Sequence, residues 1–223
     1  MSLIAAIAQA MHNDTQRLAL VSQNVANQLT PGYRAARWAP AFSGAAGLDA
    51  SAMVQTAGPM RETGKPLDLA LEGPGFFALA DDRGLFLTRA GAFQRGDDGS
   101  LVDAMGRSVL GSNGPIKLSQ DEVHINASGD VIQAERVIDR LLVLSPEQGA
   151  ALSRDSGGFR TQDSAAEVEA KIRQGALEGS NVDPAMETLS LLELTRHIES
   201  TQRALSIYDK AMETGINRLG ENS

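Results

Sequence analysis

"LLELTRHIESTQRALSIYDKAMETGINRL", residues 191–219, decides how the chain is built. Leu191, Leu194, Ile198, Thr201, Leu205, Tyr208, Met212, Gly215 and Leu219 recur in alternating steps of three and four. That period places them on one seam of a helix that packs against another helix. Thr201 and Gly215 weaken the seam locally. The start of the helix is marked too. Asp183 can accept hydrogen bonds from the free N–H groups of the first turn, and Pro184 takes the first helical position, where a missing N–H costs nothing. An amphipathic helix alone is marginal in water, so this one requires a partner.

The partner stands at the other end of the chain, where Ile4, Ile7, Met11, Leu18, Val21 and Val25 keep the same spacing and Asp14 is the one interruption. The first helix ends within "SQNVANQLTPGY" (22–33). Pro31 lacks an N–H and drives Thr30 out of the α region, while Gly32 turns the chain without a Cβ penalty. The helix is therefore expected to stop at Asn27. One such helix would be read as packing on its own domain. Two, at opposite ends of a long non-helical middle, pair with each other or with neighbouring copies.

Residues 34–66 hold Pro40, Gly44, Gly47, Gly58, Pro59, Gly64 and Pro66 without a sustained period, and read as an extended connector. Trp38 and Phe42 lie in it, either covering the adjacent domain or touching neighbouring subunits. From Leu67 the pattern changes to short β runs, LDLAL, FFALA, LFLT, AFQ, SLV, SVLG, PIKL, EVHI, DVIQ and VIDRLLVL, broken by Gly- and Asp-rich turns. This is the rhythm of an antiparallel all-β domain. The expected fold is mixed α and β, with terminal helices paired as a coiled coil around an inserted β domain. Its parts are a helix at 1–33, a connector at 34–66, the β domain at 67–145, a return connector at 146–181 and a helix at 182–223.

A chain of 223 residues, 42% hydrophobic and 22% charged, is ordinary for a globular protein with a real core. The net charge of −8, with no basic cluster interleaved with aromatics, argues against nucleic acid as a partner. No apolar run approaches the roughly 18 residues needed to span a membrane. The apolar run LIAAIA (3–8), followed by Ala8-Gln9-Ala10, is short and has no basic residue before it, so a cleaved signal peptide is not expected. Without cysteine the fold is held by packing alone. Residues 1–40 are net basic, and residues 163–223 carry eleven acids against six bases. Exposed pairs contribute only about 0–1 kcal/mol each, so the apolar seam must dominate their association.

No catalytic or cofactor-binding constellation is legible. His12, His124 and His197 have no metal spacing and read as solvated or packed side chains. "DDRG" (81–84) and "DDGSLVD" (97–103) lack the calcium-loop frame and are explained by hairpin turns. A dinucleotide fingerprint, a phosphate loop and a nucleophile elbow are all missing. The reading is of a non-enzyme without cofactor.

Four segments in a fixed order carry a resemblance: "VANQLTPGY" (25–33), "GKPLDLALEGPGFFAL" (64–79), "LTRAGAFQRGDDGSLVDAMGRSVLG" (87–111) and "GALEGSNVDPAMETLSLLELTR" (175–196). Together they resemble the flagellar basal-body rod and hook protein family, and within it the proximal-rod members, with distal-rod or hook-type members second. The resemblance implies an axial structural subunit, exported by the flagellar type III apparatus without signal cleavage. It implies polymerisation in the periplasm with copies of itself and other rod proteins, the terminal helices forming an inner layer and the β domain lying outside. It also implies assembly roles for Asn24, Ala26, Asn27, Thr30, Gly32 and Tyr33 at the first-helix exit, and for Glu178, Gly179, Ser180, Asn181 and Val182 at the entry to the last helix. Gln23 and Leu29 depart from the family pattern, and the chain is short for the family. A competing class, a β-domain binding module dimerised by its helices, calls for an aromatic platform, and aromatics are only 4% of the chain.

Overall fold

The structure, a computed structural model, describes residues 3–38, 51–147, 152–155, 157–161 and 164–220. In chain order the elements are α1 (Leu3–Ala26), β1 (Ala36–Trp38), β2 (Ser51–Met53), β3 (Met60–Glu62), β4 (Leu69–Glu72), β5 (Phe76–Asp81) and β6 (Gly84–Thr88). Then come β7 (Gln94–Arg95), β8 (Leu101–Val102), β9 (Ser108–Gly111), β10 (Gly114–Pro115), β11 (His124–Ile125), β12 (Asp130–Gln133), β13 (Arg136–Arg140) and β14 (Val143–Pro146). The last are β15 (Leu152–Asp155), β16 (Gly158–Thr161), β17 (Ala165–Glu167), β18 (Lys171–Gln174), β19 (Ala176–Glu178) and α2 (Pro184–Gly220). The chain divides into a helical unit, residues 1–26, 36–54 and 182–223, and a β unit, residues 27–35 and 55–181.

In the helical unit α1 and α2 are in contact and run antiparallel. Ala6, Ile7 and Ala10 share a cleft with His197–Ala204, while Arg17, Leu20 and Val21 share another with Glu187–His197. The start of α2 is capped as its sequence requires: Asp183 Oδ1 accepts the N–H groups of Ala185 at 3.0 Å and Met186 at 3.3 Å. The end of α1 falls at Ala26, where Asn27 C=O accepts the N–H of Thr30 at 3.1 Å. Part of the expected connector is a two-stranded ribbon, β1 pairing β2 antiparallel with Ala36 opposite Met53 and Trp38 opposite Ser51. Asn24 locks that ribbon to α1. Its Nδ2 donates to Ala36 C=O at 2.9 Å and its Oδ1 accepts the Ala36 N–H at 3.1 Å. Phe42 lies outside the described residues.

The β unit closes around Leu69, Leu71, Phe77, Leu79, Phe86, Leu101 and Val109, each at most 1% exposed. Phe77 and Phe93 meet edge to face at 5.3 Å. Burying each such side chain contributes about 1.5–3 kcal/mol. Most strands join one antiparallel sheet in the order β15-β16-β6-β5-β9-β8-β7. A second sheet is β11-β12-β13, and β18 and β19 pair with β4 and β3. The acidic turns serve the backbone: Asp98 accepts the Ser100 N–H at 3.0 Å, and Asp103 accepts the N–H groups of Met105 and Arg107 at 2.9 Å.

Two expectations change. The stretch read as a return connector carries five strands, β15 to β19, and β3 adds another in the first connector. VIDRLLVL is not one strand, because β13 pairs β12 while β14 pairs β5 and β17. The β12–β13 hairpin turns on Ala134 and Glu135, both at positive φ, 47° and 61°. Left-handed backbone costs an L-residue about 1–2 kcal/mol, so replacing these two residues by Asn-Gly is expected to raise stability in urea unfolding by about 0.5–1 kcal/mol without changing the slope.

Candidate functional site

The predicted assembly residues separate into two groups. Those of the helices lie along facing sides of α1 and α2: Ile7, Met11, Leu18, Val21 and Val25 are half-buried, as are Leu191, Ile198, Leu205 and Tyr208, and Leu194 is buried. Ile4 and Met212 are half exposed. Leu219 falls in the stretch of α2 whose side chains lie outside the described residues. Asp14, the break in the α1 pattern, is buried on the same side, and its Oδ2 lies 2.5 Å from His197 Nδ1. A carboxylate only accepts, so the shared proton sits on Nδ1. The apparent interruption is therefore a polar cross-link between the helices, and like the a-position polar residues of coiled coils it selects a register.

The second group lies in the β unit. Gly32 N–H donates to Glu178 C=O at 2.8 Å, Asn181 N–H to Tyr33 C=O at 3.3 Å, and Ala35 N–H to Asn181 Oδ1 at 2.6 Å. Asn181 Nδ2 also donates to Thr56 C=O at 2.8 Å. The segment following α1 and the segment preceding α2 are thereby zipped together. Thr30 hydrogen-bonds Asn27 Oδ1 through its hydroxyl at 3.1 Å. Tyr33 is buried beneath the Arg154 guanidinium, 5.2 Å from its ring centroid. Leu29, by contrast, is 89% exposed, so the departure from the family pattern there has no packing consequence within the chain.

Beneath this zipper is a buried charge cluster that local sequence patterns did not reveal. Glu178, 1% exposed, lies 2.8 Å from Arg34 Nη2 and 3.5 Å from Arg89 Nη1, and its Oε1 accepts the Gly58 N–H at 3.1 Å. Two guanidinium groups share one carboxylate. Backbone carbonyls take up part of the surplus, Gln55 at 2.8 Å and Thr56 for Arg34, Leu71 at 3.3 Å and Gly73 at 2.5 Å for Arg89, while Arg89 Nε is buried without a hydrogen-bond partner among the described residues. Burial pushes both guanidinium groups below their ordinary range, and Glu178 pulls them back toward it. Two glycines make room. A Cβ on Gly32, at φ +68°, would stand 2.2 Å from Ala90 N, and one on Gly58 would stand 2.0 Å from Gly179 O. Glu178 entered the sequence reading only through resemblance, and nothing local marked Arg34 or Arg89 as its partners.

Removing one member of a buried charge group leaves the others uncompensated, which costs about 3–5 kcal/mol. Glu178→Ala is therefore expected to destabilise the β unit by that amount in urea unfolding. Arg83→Ala, at the exposed Arg83–Asp155 pair, is expected to change it by about 1 kcal/mol or less.

Comparison with known proteins places this arrangement. Residues 173–219 match the family model described as flagellar basal body rod FlgEFG protein C-terminal, and residues 70–133 match that of the flagellar hook protein FlgE/F/G D1 domain. The chain is 30% identical to the flagellar basal-body rod protein FlgF of Caulobacter vibrioides, over 92% of this chain and 93% of that protein. It is 30% identical to FlgF of Salmonella typhimurium, over 92% and 94%, and 27% identical to the rod protein FlgG of Agrobacterium fabrum, over 94% and 96%. The alignments run over 231, 237 and 255 positions, more than the 223 residues of this chain, so the chain is shorter than these relatives, as its sequence led us to expect. The first model begins within β18 and takes in β19 with its Glu178, the zipper residue Asn181 and nearly all of α2. With three relatives aligned over more than nine-tenths of its length, the chain belongs to the flagellar basal-body rod protein family.

Proposed function

We propose that the chain is a structural, non-catalytic subunit of the proximal part of the flagellar basal-body rod. In this reading it assembles with copies of itself and with other rod and hook proteins, and its terminal helices pair as a coiled coil in the inner layer of the rod. The flagellar type III apparatus delivers it to the periplasm without signal cleavage. The proximal assignment is supported by the two relatives at 30% identity over more than nine-tenths of the chain, both of them FlgF proteins. No helix among the described residues is long and apolar enough to cross a membrane.

One observation carries the polymer reading. α2 has 37 residues and α1 has 24, so an antiparallel pair leaves about 20 Å of α2 without a partner from α1. That excess holds the continuing seam residues Tyr208 and Met212, and it is preceded by Ile207, which is 68% exposed. An apolar stripe without a partner in its own chain requires one from another. Leu205→Asp, which puts a charge in the middle of the seam, is expected to abolish motility and incorporation into isolated basal bodies. It should leave the melting of the β unit unchanged. Normal swimming by the mutant would refute the assignment of the seam.

A further inference from the structure

The cleft between α1, α2 and β1 holds a group that the helix pairing does not explain. Its volume is about 420 Å³, and its lining includes Arg17, Val21, Trp38, Glu187 and Leu194. Glu187 is 3% exposed, and its carboxylate makes no hydrogen bond or ion pair with any described residue. Its oxygens are not sealed off but face the cleft, where a cation or strong donor entering it would reach them. Trp38 adds an aromatic surface of the kind that holds a cation, and Val21 and Leu194 supply an apolar floor. Arg17 and Arg37 stand exposed at the rim, and neither closes on Glu187.

A matching surface exists on the same chain. Opposite the seam of α2, Arg196, Arg203 and Lys210 recur every seven residues, all exposed, with Ile207 beside them. Arg203, Ile207 and Lys210 present cation, apolar group and cation at i, i+4 and i+7; Arg203, level with the first turns of α1, also lies 3.9 Å from Glu199, and Lys210 stands toward the end of α2 that extends past α1. A helix face of this pattern fits a groove with an apolar floor and a buried carboxylate.

We infer that the Glu187 cleft of one copy receives the Arg203–Lys210 face of α2 from a second copy. The inference rests on the polymer reading and names one of its contacts. Host and guest surfaces differ, so the contact is head to tail and propagates along an assembly instead of closing a dimer. Glu187 gains its counter-charge from the next subunit, and the partnerless end of α2 gains a bed.

The chain has no cysteine, which permits a clean test. Ser190→Cys at the cleft and Ser206→Cys beside the Arg203–Lys210 face are combined in the full chain, expressed in cells lacking the native copy. On one helix these positions are about 24 Å apart, beyond disulfide reach, so every bond formed joins two chains. Oxidation of isolated basal bodies is expected to give a ladder of dimers and larger multiples, and Glu187→Gln in the same background to deplete it. Basal bodies that contain the chain but give no ladder, a ladder indifferent to Glu187→Gln, or cross-links only to a different protein would overturn the inference and leave the rod reading intact. Absence of the chain from basal bodies would instead overturn the rod reading, and this contact with it.

Discussion

A single carboxylate, Glu178, holds two buried guanidinium groups, Arg34 and Arg89, inside the β unit. Burying three charges is expensive, and removing any one of them leaves the others uncompensated. The cluster anchors the two segments through which the chain passes to its helices. Ala35 is hydrogen-bonded to Asn181, and the residues that follow each, Ala36 and Val182, already belong to the helical unit. Arg34 draws in Gln55 and Thr56, and Arg89 draws in Leu71 and Gly73, so that with Glu178 itself five separate stretches of backbone meet at one point. Gly32 and Gly58 permit this closeness, since a Cβ at either would overlap neighbouring backbone.

The two units are stabilised by different means. The β unit has a core of Phe, Leu, Val and Ile side chains, and it buries charge in the Glu178 cluster and in the Asp103–Arg107 pair. Arg160 holds Asp81 at about 2, a surface pairing of the ordinary kind. In the helical unit the seam residues are mostly half-buried, and the polar links Asp14–His197 and Asn24–Ala36 set register more than they add stability. A unit so built gains stability from any neighbour that covers its seam.

The helices were legible in the sequence because their signal is periodic and local: the Leu191–Tyr208 spacing, the Asp183-Pro184 start and the Thr30-Pro31-Gly32 stop each act within a few residues. The strands of FFALA, LFLT, SVLG and DVIQ were legible for the same reason, through turn chemistry, whereas AFQ and PIKL overlap their two-residue strands at Gln94 and Pro115 alone. The strands β3 and β19 were not, because each is three residues long and exists by pairing with the other across more than a hundred residues of chain. β18 is charged and alternates weakly, and its place is set by β4. The charge cluster was illegible on the same grounds, since no local pattern says that Arg34 and Arg89 will converge on Glu178. Asp14 is the instructive case. It reads as a defect in a heptad until His197 is seen beside it.

If the cluster anchors both helix roots in the β unit, the amide of Gly32 belongs to that unit's cooperative core even though it lies next to a helix end. Native-state hydrogen exchange of the full chain tests this residue by residue. The Gly32 and Gly179 amides should be protected as strongly as those of Ala78 and Leu101 in the core sheet, and far more strongly than the amides of α1 and α2. Exchange of Gly32 at the rate of the α1 amides would show that the exit frays with the helix and that Glu178 does not anchor it.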